Sequence, residues 1–74
     1  MAKLPTVSGR DAVRAFESLG WEFARQSGSH LILVRVGEIA SLSIPDHREL
    51  AKGTLRSLIR AAGISVDEFI AALA

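Results

Sequence analysis

The residues of this chain best suited to acid–base chemistry are its two histidines. His30 ends the segment Arg25-Gln26-Ser27-Gly28-Ser29-His30, and His47 ends Ile44-Pro45-Asp46-His47. An imidazole titrates near neutral pH and, as a general acid or base, speeds a reaction by about 10²- to 10⁴-fold. RNA carries its own nucleophile, a 2′-hydroxyl, next to the phosphorus, so one histidine and a cation could cleave it without a metal. The alternative is that His30 only satisfies backbone groups at a strand end and that His47 is a solvated loop residue.

A line of positive side chains follows the second histidine. Lys52, Arg56 and Arg60 recur every four residues, which places them on one face of a helix. This helix begins near Gly53-Thr54, where free N–H groups and the helix dipole favour phosphate. The spacing indicates an anion-binding surface; the alternative is a solvated basic face.

Composition limits the classes of protein to which the chain can belong. It has 74 residues, a formal net charge of +1, 49% hydrophobic residues and no cysteine. This length predicts a single domain over residues 1–74, and the lack of cysteine excludes disulfides and thiolate zinc sites. No stretch reaches the roughly 20 apolar residues that cross a bilayer, and the first residues lack the apolar core of a signal peptide. We therefore expect a cytoplasmic protein that uses no metal, no cofactor and no membrane.

Capping residues and apolar spacing predict three helices. Pairs typical of capping boxes begin two of them, and glycines end two: Ser8 with Asp11, Ser65 with Glu68, Gly20, and Gly63. Helical spacing in the second helix is shown by Leu55, Leu58, Ile59 and Ala62. The third helix, which begins after Ser65, is short.

Between Gly20 and Pro45 the apolar period changes to two, which predicts strands. We place them at about 21–26, 30–36 and 39–44, joined by turns around Ser27-Gly28 and Gly37-Glu38. Such short connections make an antiparallel meander. The predicted order is α-β-β-β-α-α, an α+β fold in which helices cover one face of a three-stranded antiparallel sheet.

The alternation also predicts which side chains face the core, since a one-residue shift in register moves all of them to the other face. The expected core residues of the sheet are Trp21, Phe23, Ile32, Val34, Ala40, Leu42 and Ile44. Leu31 and Leu33 then lie on the open face, where clustered apolar residues would indicate a protein partner.

This register has a consequence for the histidines. A Ser27-Gly28 loop sets Arg25 opposite His30 on the neighbouring strand. On the other side, His30 is expected opposite Ile44, at the point where the third strand leaves the sheet. The two histidines, distant in sequence, are therefore predicted to be neighbours in space, with Arg25 beside them.

Four blocks of residues carry a family resemblance, and together they span nearly the whole chain. They are Leu4-Pro5…Ser8-Gly9, then Gly20-Trp21…Arg25-Gln26…Gly28-Ser29-His30, then Ile44-Pro45-Asp46-His47, then Lys52-Gly53-Thr54-Leu55-Arg56…Ala62-Gly63-Ile64…Glu68-Phe69. In this order and spacing they resemble the HicA toxin family (the YcfA-like proteins). The resemblance implies a fold like a double-stranded-RNA-binding domain. It further implies a ribonuclease that cleaves messenger RNA, that a HicB antitoxin neutralises, and whose catalytic histidine is His30.

These observations favour a metal-independent ribonuclease toxin of a type II toxin–antitoxin system, with His30 as the catalytic residue. The residues that we expect to contact the RNA are Arg25, Gly28, Ser29, His47, Lys52, Thr54 and Arg56. An alternative is a non-catalytic RNA-binding module that uses the same basic edge. A third hypothesis is an interaction subunit that binds another protein through Leu31 and Leu33.

Overall fold

The chain forms three helices and a three-stranded sheet, in the order α-β-β-β-α-α, in a computed structural model that describes residues 3–73. The elements are α1 (Gly9–Ser18), β1 (Glu22–Ser27), β2 (His30–Val34), β3 (Leu42–Pro45), α2 (Lys52–Ala61) and α3 (Val66–Ala72). The strands form an antiparallel sheet in the order β1-β2-β3. The predicted α+β fold class and the predicted meander are therefore confirmed.

Side-chain caps fix where α1 and α3 begin, as the sequence predicts. The Ser8 hydroxyl accepts a hydrogen bond from the Asp11 N–H at 3.0 Å, and the Asp11 carboxylate accepts one from the Ser8 N–H at 3.1 Å. Ser65 and Glu68 make the same reciprocal pair at α3. Each box satisfies two N–H groups that a helix start leaves without partners. After α1, the chain turns at Gly20 with a φ of 101°, which favours glycine.

The register of the sheet differs from the prediction by two residues beside the turn between β1 and β2, and by one residue at the start of β1 and between β2 and β3. The two-residue loop between β1 and β2 is Gly28-Ser29 rather than Ser27-Gly28, so that Ser27 pairs with His30. Gly28 has a φ of 59°, and a glycine is favoured at this position because a side chain there would be strained. The shift continues across the sheet, where His30 pairs with Pro45 and not with Ile44.

A one-residue shift moves every side chain of a strand to the other face. The helices cover the face that carries Leu31, Leu33, Leu42 and Ile44, all of which are buried. Leu31 and Leu33 are therefore core residues, and the hypothesis that they form an exposed partner surface is wrong. Ile32 is also buried, but it belongs to the opposite face and not to this core cluster.

Three residues predicted for the core are exposed instead, namely Phe23, Val34 and Ala40. Val34 pairs with Glu22 on the open face and is 39% exposed. Phe23 lies on the helix-covered face, but β1 is an edge strand whose register shifts between Phe23 and Arg25, and its ring is 47% exposed. The third strand is also shorter than predicted, because residues 35–41 form a loop that includes Ala40.

The core lies between the sheet and the three helices. Phe16 of α1 and Phe69 of α3 are both fully buried, with ring centroids 5.2 Å apart. Trp21 is buried as predicted, immediately before β1. Because α1 packs against all three strands and α3, it connects the core to the end of the sheet where His30 lies.

Candidate functional site

His30 is the first residue of β2, and its side chain is exposed. Ser27 pairs with it on one side and Pro45 on the other, so its backbone lies between two strands. No hydrogen bond or ion pair within residues 3–73 involves its imidazole. A fixed backbone with an accessible ring is what a general acid or base needs in order to meet a substrate proton.

Arg25 shares the open face with His30, but it is not directly opposite, as the sequence analysis predicted. It pairs with Ile32, two pairs further along the same two strands than the pair of Ser27 with His30. Such diagonal neighbours lie about 7–8 Å apart, a distance that a long side chain can span. Arg25 is exposed and can therefore place its guanidinium beside an anion bound at His30.

The segment that carries the second histidine meets the turn before the first. The Asp46 N–H donates to the Ser29 carbonyl at 2.8 Å, directly after the pairing of Pro45 with His30. The predicted meeting of the two histidine-bearing segments is thereby confirmed for the backbone. The side chain of His47 is exposed, and no hydrogen bond within the described part of the chain joins it to that of His30.

Two residues of α1 hold this segment, and sequence reasoning assigned them no role. The Gly9 N–H donates to the His47 carbonyl at 2.8 Å. An Arg10 guanidinium N–H donates to the Asp46 carboxylate at 3.1 Å, which offsets a negative charge that would otherwise repel phosphate near Ser29. The sequence feature that could have indicated a role for Gly9 is its residue type, since glycine is a poor helix former and yet stands at the start of α1.

The cations of α2 form a second cluster. Lys52 Nζ donates to Thr6 Oγ1 at 3.2 Å, and Thr54 is half-buried. Arg56 and Arg60 are exposed and border a recess of about 320 Å³ whose other lining includes Ile59, Ile64 and Val66. No ion pair or hydrogen bond among residues 3–73 joins these cations to the His30 end of the sheet.

The start of α2 is suited to an anion. Its N-cap, Ala51, has no side chain that accepts a hydrogen bond, and its first turn contains no acidic residue. The free N–H groups there carry the positive end of the helix dipole. The Asp46 N–H donates to the Ser29 carbonyl, so the short segment 46–51 connects the contact with the β1–β2 turn to the start of α2.

The described residues include neither a metal-binding cluster nor a membrane-spanning helix. No group of three or more histidine, cysteine, aspartate or glutamate side chains in residues 3–73 is placed to hold a metal ion. Within the same residues, no helix is long and apolar enough to cross a membrane.

Comparisons with known proteins point to one family. A family model described as "HicA toxin of bacterial toxin-antitoxin" matches residues 9–64. Among solved structures, a chain of "Toxin-Antitoxin complex from Streptococcus pneumoniae" is similar to this one with a TM-score of 0.71 and 30% sequence identity, over 78% of this chain and 98% of that chain. A comparison with curated proteins gives no match.

Proposed function

This chain belongs to the HicA toxin family, and from that premise we propose that it is an endoribonuclease that cleaves messenger RNA and inhibits growth. The observation that carries the proposal is the position of His30, which is exposed at the start of β2 on the open face, with Arg25 on the same face. A toxin that acts on RNA needs a proton-transfer group accessible to a long polymer. An exposed position at the end of a sheet meets that need better than an enclosed pocket.

In the proposed reaction, the 2′-oxygen of a ribose attacks the adjacent phosphorus. The 2′-O–P bond forms, the P–O5′ bond breaks, and the products are a 2′,3′-cyclic phosphate and a 5′-hydroxyl. His30 either removes the proton of the 2′-hydroxyl or gives a proton to the leaving 5′-oxygen, which is general acid–base catalysis. Because the nucleophile belongs to the substrate, we propose that no metal is required.

Positive groups around His30 hold the phosphate in this proposal. Arg25 approaches from the diagonal position on β1, and the Gly28-Ser29 turn presents backbone N–H groups and a hydroxyl. His47 borders the same end of the sheet and is a second acid–base group or a phosphate contact. The pairing of Asp46 with Arg10 supports this assignment, since it removes a local charge repulsion.

The α2 cluster binds the RNA strand further along its length. We assign this role to Lys52, Thr54 and Arg56, together with the free N–H groups at the start of α2. These residues are separate from the His30 cluster, so we expect them to contribute to affinity and not to the chemical step. Affinity that depends on phosphate contacts falls as salt rises.

We also propose that a HicB-type antitoxin binds this protein in the cytoplasm and neutralises it. The similar chain from Streptococcus pneumoniae belongs to a toxin–antitoxin complex, which supports an antitoxin partner for this chain. A gene for an antitoxin-like protein beside this one would further support the pairing.

The test compares RNA cleavage by the wild type and by His30→Ala, with EDTA present and with circular dichroism spectra of both. We expect matching spectra, cleavage by the wild type and a rate about 10²- to 10⁴-fold lower for the variant. Glu38→Gln, in the loop at the other end of the sheet, is the control and should cleave normally. Cleavage retained by a folded His30→Ala would refute the catalytic assignment.

Two other outcomes would favour different functions. Salt-dependent RNA binding by a folded wild type that never cleaves would favour the non-catalytic RNA-binding module. In that case Lys52→Ala with Arg56→Ala should weaken binding, and His30→Ala should not. Loss of cleavage by the wild type in EDTA, with recovery on addition of a divalent cation, would contradict the metal-independent mechanism.

A further inference from the structure

A groove of about 290 Å³ lies between α1 and β1, on the helix-covered side of the sheet, and Arg10 is the residue that it shares with the site described above. Its lining combines two arginines, an exposed aromatic ring, two apolar side chains, a carboxylate and an amide: Arg10, Arg14, Phe23, Val13, Leu31, Glu17 and Gln26. Phe23 is the only aromatic residue among those described whose ring is substantially exposed. A single exposed apolar side chain is common, but here the exposed ring lines a groove together with two arginines.

The groove leads to the His30 end of the sheet. The chain turns back directly after α1, with the Trp21 N–H donating to the Phe16 carbonyl at 3.0 Å, so α1 and β1 run in opposite directions. The start of α1 therefore lies beside the end of β1. At that end, Arg10 pairs with Asp46, and the Gln26 side chain donates to the Gly28 carbonyl in the turn before His30.

The order of charges along the groove suits a nucleotide. Arg10 and Arg14 have side chains 65% and 69% exposed, and each pairs with a carboxylate at the surface. Each pair uses one terminal nitrogen of the guanidinium group, so the remaining N–H donors can hold a phosphate while the pair with the carboxylate is kept. Glu17 is one turn beyond Arg14, toward the Phe23 end, where its charge repels phosphate and leaves room for an uncharged base.

The ring of Phe23 gives a base a flat surface on which to stack at that end of the groove. Base–aromatic stacking is insensitive to sequence, because every base has a π-face. A base must leave its own stack to reach a ring in a groove, which selects single-stranded RNA over a duplex. Addition of a strand from a protein partner is less favoured, because the irregularity between Phe23 and Arg25 interrupts the free edge of β1.

We propose that this groove is a base-binding subsite for single-stranded RNA, in which one unpaired base stacks on Phe23 while Arg10 and Arg14 hold its phosphates. The inference rests on the proposed ribonuclease function, because the occupant is a nucleotide of the same RNA strand that is cleaved at His30. The subsite gives the enzyme a preference for unpaired RNA, which the phosphate contacts alone do not supply.

The test measures binding of a short single-stranded RNA and of the matching duplex to the His30→Ala protein, which keeps the RNA intact. We expect Phe23→Leu to weaken single-strand binding by about 5- to 150-fold and Phe23→Tyr to restore it, since stacking contributes roughly 1–3 kcal/mol per base. Duplex binding should change little. Val36→Ala, an exposed apolar residue in the loop at the other end of the sheet, is the control.

Arg14→Gln tests the charged part of the groove. Loss of one phosphate contact should make the plot of log affinity against log salt less steep by about 0.7 for a single strand. An unchanged slope, or unchanged single-strand affinity in Phe23→Leu, would overturn the subsite. Loss of antitoxin binding in Phe23→Leu with normal RNA binding would also overturn it, and would assign the groove to a protein partner.

These results separate the subsite from the catalytic proposal. If the wild type cleaves RNA and Phe23→Leu cleaves it with the same KM, the subsite fails and the ribonuclease stands. If the wild type binds single-stranded RNA through Phe23 and never cleaves it, the ribonuclease fails and the subsite stands. If it neither binds nor cleaves RNA, both proposals fail.

Discussion

Gly9 and His47 are joined by a hydrogen bond from the N–H of the first to the carbonyl of the second, at 2.8 Å. The approach is so close that a Cβ on Gly9 would lie 2.0 Å from the Pro45 carbonyl oxygen. Pro45 pairs with His30, and the Asp46 N–H donates a hydrogen bond to the Ser29 carbonyl. The start of α1 therefore supports, through the segment 45–47, the end of the sheet that carries the proposed catalytic histidine.

Gly9→Ala should destabilise the protein and disturb this support. The new methyl group meets backbone atoms that cannot rotate away, and overpacking of this kind costs about 1–3 kcal/mol. Urea denaturation should show that loss. Gly53→Ala is a matched control, because nothing lies within 4 Å of its Cβ position in α2, and it should stabilise the protein by up to about 1 kcal/mol. Equal effects of the two substitutions would show that the close approach is absent in solution.

Most of the fold could be predicted from capping pairs, glycines and apolar periodicity, because each of these is a local property of the sequence. The register could not, because residues 31–34 are apolar without interruption and fit either face. The choice rested on placing Trp21 and Phe23 in the core, with Val34 and Ile32 as their partners. The positive φ of Gly28 and the irregularity between Phe23 and Arg25 decide the register instead, and neither is encoded by alternation.

The site was predictable to a similar extent. Sequence spacing placed the two histidine-bearing segments together, since both lie at strand ends of a short meander. It did not place Gly9 or Arg10 there, because their contacts with His47 and Asp46 cross 36 or more positions of the chain. Sequence spacing did not predict the groove at Phe23 either, because the groove exists only where this ring lies at a sheet edge.

Leu33 and Val34 provide a direct test of the observed register. Leu33 is fully buried against the helices, so Leu33→Ala should lower the free energy of unfolding by about 2–5 kcal/mol. Val34 lies on the open face, and Val34→Ala should lower it by less than about 1 kcal/mol. Chemical denaturation of both variants gives the comparison. The opposite order would restore the register with Val34 in the core.

Gly28→Ala should strain the turn that presents His30. A residue with a side chain pays about 1–2 kcal/mol in the left-handed region, and Gly28 has a φ of 59°. Gly28→Asn should cost less, because asparagine tolerates this region better than other residues. No atom lies within 4 Å of the Cβ position, so steric contact does not contribute. Thermal unfolding of both variants checks the order; an alanine variant as stable as the wild type would contradict the positive φ.

The capping box of α1 should make stability depend on pH in the acid range. The Ser8 backbone N–H, followed by the Ser8 hydroxyl and Arg14, lowers the pKa of Asp11 below its ordinary value of 3.8. A lowered pKa means that the folded protein favours the carboxylate. Its contribution is therefore fully present above the ordinary value and is lost as pH falls through the lowered pKa. Asp11→Asn should be less stable than the wild type at pH 7, and the difference should disappear toward pH 2 in denaturation curves measured across that range.

In a double-mutant cycle, the losses of stability from Ser8→Ala and Asp11→Asn should be less than additive, because each substitution breaks the same reciprocal pair. A stability difference that stays constant down to the lowest pH would show that the carboxylate charge is not what the cap uses.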